Sequence, residues 1–314
     1  MNNLAILIPC YNEGITIRKV VEQCISVTKD IKGTVVYVYD NNSTDNTRSE
    51  AESAGAVVKT EFQQGKGNVI RRMFRDIDAK CYVMIDGDDT YPVENIPSMA
   101  KSVLEKNIDM VVGDRLSSSY FTENKRPFHN LGNVVVRGSI NHLFKSNIRD
   151  IMTGYRAFSY QFVKSYPVLS KGFEIETEMS IFAIENNMSI ENEIVEYRDR
   201  PDGSESKLNT YSDGFKVIRR IFTLYRNYHP LSFFSIIALL LILISMLFFV
   251  PKVWIPYLNT GLVKNLPTLI MCGFFLIAGI VSYYSGLVLD STVKKEQREF
   301  EFRLQEIHQF MNKK

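Results

Sequence analysis

Tryptophan occurs once in the 314 residues, and the four cysteines form no CxxC pair. Cys10, Cys24, Cys81 and Cys272 show no metal-ligand spacing with the four histidines, which excludes a zinc-ribbon or dithiol redox framework. They read as reduced thiols in apolar surroundings, as in a domain facing the cytosol. A charge excess of one sign is also missing. The 37 Lys+Arg stand against 35 Asp+Glu, a formal net charge of +2. That balance gives no basis for nucleic acid as the main partner. Nor does the N-terminus read as a secretory leader. Met1–Asn3 carry no basic side chain, and the apolar run Leu4–Ile8 is too short for a leader's core.

Apolar sequence is present in quantity and is unevenly spread. Two uncharged runs, Leu231–Val250 and Asn265–Leu289, lie late in the chain. At about 1.5 Å per residue, a helix of about 20 residues spans the roughly 30 Å of a bilayer core. The expected organisation is a domain at 1–212, an interfacial segment at 213–230, two transmembrane helices with a short external loop at 231–289, and a tail at 290–314.

Within the first part, short apolar runs alternate with helical stretches. Leu4–Ile8, Val35–Tyr39, Val57–Lys59, Tyr82–Ile85 and Met110–Val112 read as strands. Ile15–Thr28, Asp45–Ala54, Asn68–Asp78 and Ile96–Lys106 read as helices between them. This alternation predicts an α/β domain with a mostly parallel sheet covered on both faces. Ligands of such sheets bind outside the carboxyl ends of the strands. After Gly113 the pattern loosens. Phe173–Glu185 reads as a helix, and 198–212 as a polar loop.

Asp213–Tyr228 reads as an amphipathic helix, with Phe215, Ile218, Ile221, Phe222 and Tyr225 at helical spacing. Lys216, Arg219, Arg220 and Arg226 lie between them. Directly before a membrane run, such a helix is expected on anionic lipid; the alternative is an ordinary surface helix. Four Lys/Arg in this segment and six in the tail flank the spans, against two in the intervening loop. The positive-inside rule then puts domain and tail in the cytosol. Ser282 and Gly286 form a small-residue pair able to seat another helix. Phe300, Leu304, Ile307 and Met311 form a short stripe. Together they predict a homo-oligomer, dimer or tetramer.

The strongest chemical signal is Asp86-Gly87-Asp88, directly after a predicted strand. Carboxylates crowded at a buried strand end repel one another unless a cation offsets them, and hard oxygens suit Mg2+ or Mn2+. Pro9–Glu13, Asp40–Asp45 and Gly65-Lys66-Gly67 follow three other strands. Each alone is a good turn or helix cap. Gathered at strand ends beside a metal pair, they point to a nucleotide carrying a diphosphate.

These motifs, with Gly113-Asp114-Arg115 and the 150–156 stretch DIMTGYR, resemble family 2 glycosyltransferases of GT-A fold. The paired apolar runs and Ser204–Leu208 are similar to the polyprenyl-phosphate subgroup. Two positions depart from the family pattern: Asn41 replaces the second of an acidic pair, and Thr90 stands where some members have glutamine. The resemblance implies inverting transfer of a hexose, glucose or N-acetylglucosamine, from a UDP-sugar to a membrane polyprenyl phosphate. A GDP-mannose donor is the first alternative, and a non-catalytic nucleotide-sugar-binding scaffold a further one. It implies a donor site of Pro9, Tyr11, Glu13, Asp40, Asn41, Lys66, Arg71, Asp86, Gly87, Asp88 and Arg200. Asp86 and Asp88 would bind the metal, and Arg115 and Arg137 the acceptor phosphate. Asp88, Arg115, Asp150 and Lys207 would be catalytic, with Asp150 orienting Arg156 or the acceptor. The glutamates 174, 176 and 178 read as structural. Processive polysaccharide synthases of this family carry a QxxRW motif; the single tryptophan, Trp254, lies in the predicted external loop and speaks against that activity.

Overall fold

A computed structural model describes residues 1–117, 127–201, 203 and 210–313. Lys207 and the 204–208 motif lie outside the described residues. By mutual contacts the chain forms two units, residues 1–221 with 302–314, and residues 222–301.

The first unit opens with β1 (Asn2–Cys10), α1 (Ile17–Val27), β2 (Thr34–Asp40), α2 (Thr47–Ser53), β3 (Val57–Thr60), α3 (Lys66–Asp76) and β4 (Ala79–Met84). It continues through α4 (Ile96–Lys106), β5 (Met110–Asp114), α5 (Pro127–Phe144), β6 (Arg156–Ser159), α6 (Tyr160–Ser165), α7 (Ile175–Glu185) and β7 (Ile190–Ile194). The sheet order is β3-β2-β1-β4-β6-β5-β7. All neighbours are parallel except those of β6, which runs against both β4 and β5. The predicted strands and helices are present with ends shifted by up to three residues. The sequence reading did not foresee β6, β7 or α5 in the looser region.

The strands read as continuous apolar runs because both faces are covered. On one face Leu4, Ile6, Ile8, Val36, Val38 and Val83 pack against Ile17, Val20 and Val21 of α1 and Ile96, Met99 and Val103 of α4. The other face is aromatic. Phe74 of α3 meets Phe158 at 5.7 Å, and Phe162 of α6 meets Phe158 at 4.8 Å and Phe182 of α7 at 5.7 Å. Each such side chain removed from water contributes roughly 1.5–3 kcal/mol. After β3 the chain crosses to the far side of β1 and enters β4. The carboxyl ends of β1 and β4 therefore flank the crevice where open α/β sheets take ligands. Register brings Cys10 beside Asp40, so the β2 end adjoins it.

The chain then forms α8 (Thr210–Tyr228), α9 (Pro230–Phe249), a π-turn (Val250–Trp254), α10 (Ile255–Thr260) and α11 (Leu266–Lys313). In α8, Phe215, Ile218 and Phe222 are exposed, whereas Val217, Ile221 and Leu224 are buried. Ile221 thus leaves the predicted lipid-facing set. Arg220 leaves the predicted lipid-facing basic set, because it is paired with Glu178.

Within the second unit, two helices are long and apolar enough to cross a membrane. Leu239, Leu243, Leu247, Phe274 and Ile277 are exposed along them, as lipid contact requires. The two lie against each other. Ser282 Oγ donates to the Phe234 carbonyl at 3.1 Å, and Ser245 Oγ to that of Cys272 at 3.0 Å. A Cβ on Gly286 would come within 3.0 Å of Phe234 Cβ. The Ser282/Gly286 face is therefore filled by α9 of the same chain. The expected external loop is partly helical, and the expected tail is a continuation of α11. Leu304, Ile307 and Met311 are half-buried. Of the two surfaces from which self-association was expected, the Ser282/Gly286 face is thus occupied within the chain.

Candidate active site

The turns after β1 and β2 are laced together. Asn12 N donates to Ser43 Oγ and Thr44 N to Asn12 Oδ1, both at 2.8 Å. Glu13 N donates to Thr47 Oγ1 at 2.8 Å, and Gly14 N to Asp45 Oδ2 at 2.9 Å. Partial burial works against the Asp45 charge, but hydrogen bonds from Thr47 and Gly14 hold its carboxyl below the ordinary range. Asp40 is buried and accepts from Ser43 N at 3.2 Å. Asn41 is buried, and its amide is committed to the next turn. It donates to the carbonyls of Glu61 and Gln63 at 2.8 and 2.9 Å and accepts from Gly65 N at 2.7 Å. A carboxylate could not make those two donations. Its role is to shape the loop ahead of Lys66. Pro9, next to last in β1, is half-buried, Tyr11 is exposed, and so is Arg71 on α3.

At the β4 end the carboxylates meet cations. Lys66 Nζ lies 2.6 Å from Asp86 and 2.7 Å from Glu176. Burial alone would lower the Lys66 ammonium, but Asp86 and Glu176 more than offset this and hold it above the ordinary range. Asp88 accepts from Thr90 Oγ1 at 2.6 Å and pairs with Arg200, which also reaches Glu13 at 3.5 Å. Burial first, and Asp86 second, raise the Asp88 carboxyl, while Arg200 and Thr90 work against that. Burial likewise raises Glu176, with Lys66 opposing. Lys19 pairs with the buried Asp89. The Gly87 carbonyl accepts from Thr16 Oγ1 at 2.6 Å.

A third group adjoins. Asp150, fully buried, accepts from Arg115 Nε at 2.7 Å, and Arg115 Nη2 donates to the Met152 carbonyl at 2.9 Å. The guanidinium lies 5.9 Å from the rings of both Tyr91 and Tyr197. In the DIMTGYR stretch, Gly154 passes so close to Asp86 that a Cβ there would lie 2.4 Å from its carboxylate. Arg156 is not the partner of Asp150. It is fully buried and donates to the carbonyls of Thr153 and Ile151, at 3.0 and 2.6 Å, and to Ser180 Oγ. Arg137 is half-buried on α5.

The sequence profile described as Glycosyl transferase family 2 matches residues 5–166. The chain belongs to that family. Glycosyltransferase AglJ of Haloferax volcanii is 33% identical over 233 residues, covering 74% of this chain and 75% of its own. The dolichyl-phosphate hexose transferase of the same organism is 26% identical over 220 residues, 70% of this chain and 92% of its own. A crystal structure of glucosyl-3-phosphoglycerate synthase from Mycobacterium tuberculosis, in complex with Mn2+, UDP and phosphoglyceric acid, has a TM-score of 0.57 at 20% identity. It covers 72% of this chain and 78% of that one, a likeness of fold.

In this family 2 chain the fold brings Glu13, Asp40, Lys66, Asp86, Asp88 and Arg200 to adjoining strand ends, and Arg115 with Asp150 beside them. Sequence reasoning set Glu176 aside as structural; the structure places it on Lys66. It did not single out Tyr91, Tyr197 or Lys19. Only the helical position of Glu176, two residues before Glu178 in a segment already flagged as acidic, offered a signal.

Proposed function

We propose that the protein transfers a hexose from a UDP-sugar to a membrane polyprenyl phosphate, with inversion. The observation that carries this reading is the Arg115–Asp150 pair, 2.7 Å apart, on the stretch whose Gly154 packs against the Asp86 carboxylate. One group suits an incoming phosphate and the other an outgoing diphosphate. The apolar helices of the second unit, and the name of the dolichyl-phosphate relative, support a lipid acceptor in a membrane. The Mn2+ and UDP of the structural neighbour support the donor class.

Among the described residues, no three His, Cys, Asp or Glu side chains converge as a metal site. Two hard carboxylates nevertheless fit Mg2+ or Mn2+, which is commonly held by one or two carboxylates plus substrate phosphates. Asp86 and Asp88 would hold the ion, which when bound would neutralise charge on the leaving diphosphate. Arg200, and Lys207 outside the described residues, would hold the diphosphate from the protein side. Arg115, with Arg137, would orient the acceptor phosphate, and Asp150 fixes the plane of the Arg115 guanidinium. The acceptor oxygen forms the new bond to the anomeric carbon as the bond to the diphosphate breaks on the opposite face. A phosphate monoester has a second pKa of about 6, so the nucleophile is largely dianionic at pH 7 and needs no strong general base. The task left to the protein is to hold two anionic groups together.

Radiolabelled UDP-glucose, UDP-N-acetylglucosamine and GDP-mannose, each offered with undecaprenyl or dolichyl phosphate in mild detergent, test the reading. A lipid-linked monosaccharide from a UDP-sugar is expected. Transfer from GDP-mannose alone would replace the donor assignment. Insoluble polymer, or no product, would overturn the proposal.

A further inference from the structure

Glu178 sits at the junction between α8 and the donor loop. It is buried, 4% exposed. Its Oε2 accepts from Ser170 N at 3.0 Å and from Ser170 Oγ, and its Oε1 accepts from Leu169 N at 3.3 Å. Arg220 Nη2 of α8 lies 2.8 Å from the same Oε2. The turn that Glu178 holds presses directly on the Lys66 loop. Gly67 N donates to the Lys171 carbonyl at 2.9 Å. A Cβ on Gly67 would lie 2.1 Å from Ser170 O, and one on Gly65 2.3 Å from Lys171 O. No side chain separates the two backbones, so displacement of residues 170–171 must displace Gly65–Gly67. Lys66, between the glycines, meets Asp86 at 2.6 Å, and the Phe173 ring lies 5.7 Å from its ammonium.

We propose that Arg220 is a positioning residue for the nucleotide donor, acting through Glu178 and the Ser170–Lys171 turn on the loop that carries Lys66; this rests on the donor site proposed above. Without Arg220, Glu178 keeps a buried charge with that cation removed, and relief comes by drawing water or shifting the turn. The shift reaches Lys66 and, through it, Asp86. Phe215, Ile218 and Phe222 are exposed on the same helix, so its seating on lipid would bear on the geometry of the donor site. A purely structural staple would lower stability without selecting donor over acceptor.

The test uses the full chain in mild detergent, with UDP and GDP as probes in isothermal titration with Mn2+, and donor and acceptor KM measured separately. Arg220→Gln should weaken nucleotide affinity about five- to tenfold, raise the donor KM alike, and leave the acceptor KM unchanged. Arg220→Lys should restore affinity to within about twofold of wild type, since the charge is kept. Ser170→Ala loosens the same turn without touching α8 and should reproduce the donor effect. Wild-type affinity in Arg220→Gln, or a loss confined to the acceptor KM, would overturn the inference. If Arg220→Gln fails to fold, unchanged affinity in Ser170→Ala overturns it instead. Wild-type protein that binds neither nucleotide would remove the donor-site reading and the inference with it.

Discussion

Asp88 is buried, yet its partners are Thr90 and Arg200 rather than core side chains. Its replacement by alanine should therefore lower transfer at least about 100-fold while the fold survives, because a ligand for charge is lost and not a packing group. Circular dichroism and melting of Asp88→Ala should match wild type. EDTA should abolish activity and Mn2+ restore it; full activity after exhaustive dialysis against EDTA would sink the metal assignment. Asp86, Asp88, Lys66 and Arg115 were legible as candidates because each lies in a short motif that follows a strand, and Asp150 through the resemblance of the DIMTGYR stretch. Glu176 was not, since its partner Lys66 lies 110 residues away and a glutamate in a helix's first turn already has a local explanation. Asn41 was marked as a departure from pattern. Its three bonds to a neighbouring turn were invisible without the register of β2 and β3.

At the scale of elements, the β1 and β2 turns depend on Asp45. Its carboxyl is held below the ordinary range, so its contribution is complete above the unfolded carboxylate range and is lost as pH falls through the lowered value. Asp45→Ala should lower Tm at pH 7 by about 2 °C, a modest figure because the residue is exposed and screened. The two melting curves should converge as pH falls below about 4. A constant difference down to pH 3 would show that the carboxylate charge is not the cause. Strands β1 to β5 were legible from unbroken apolar runs. β6 was not, because four residues starting with Arg156 carry no period, and its antiparallel place is set by tertiary pairing. α8 was legible as amphipathic, but which of its residues turn inward depended on Glu178.

For the whole molecule, the positive-inside rule leads us to propose a topology with the end of α11 on the cytosolic side of a membrane and residue 264 on the other. All four native cysteines are buried, so a new thiol can be read against a quiet background. Lys264→Cys should react with a membrane-impermeant maleimide in intact cells, and Glu299→Cys only after lysis. The reverse pattern would invert the proposed topology. The two spans were legible from length and composition. Their mutual packing was not, because a small-residue face does not say which helix fills it.

The interlock of residues 170–176 with the Lys66 loop also sets an order of events during synthesis. A ribosome-bound chain that has emerged through Asp89 carries Lys66 and the strand-end carboxylates, but lacks the turn that seats the loop, Glu176 and Arg200. At about 5–20 residues per second, the missing segment follows about 6 to 22 seconds later. Until then Asp88 stands without Arg200, and Lys66 without Glu176. The proposed donor site is thus completed late in translation, shortly before the first long apolar helix leaves the ribosome, and a chain truncated before Arg200 is left without it.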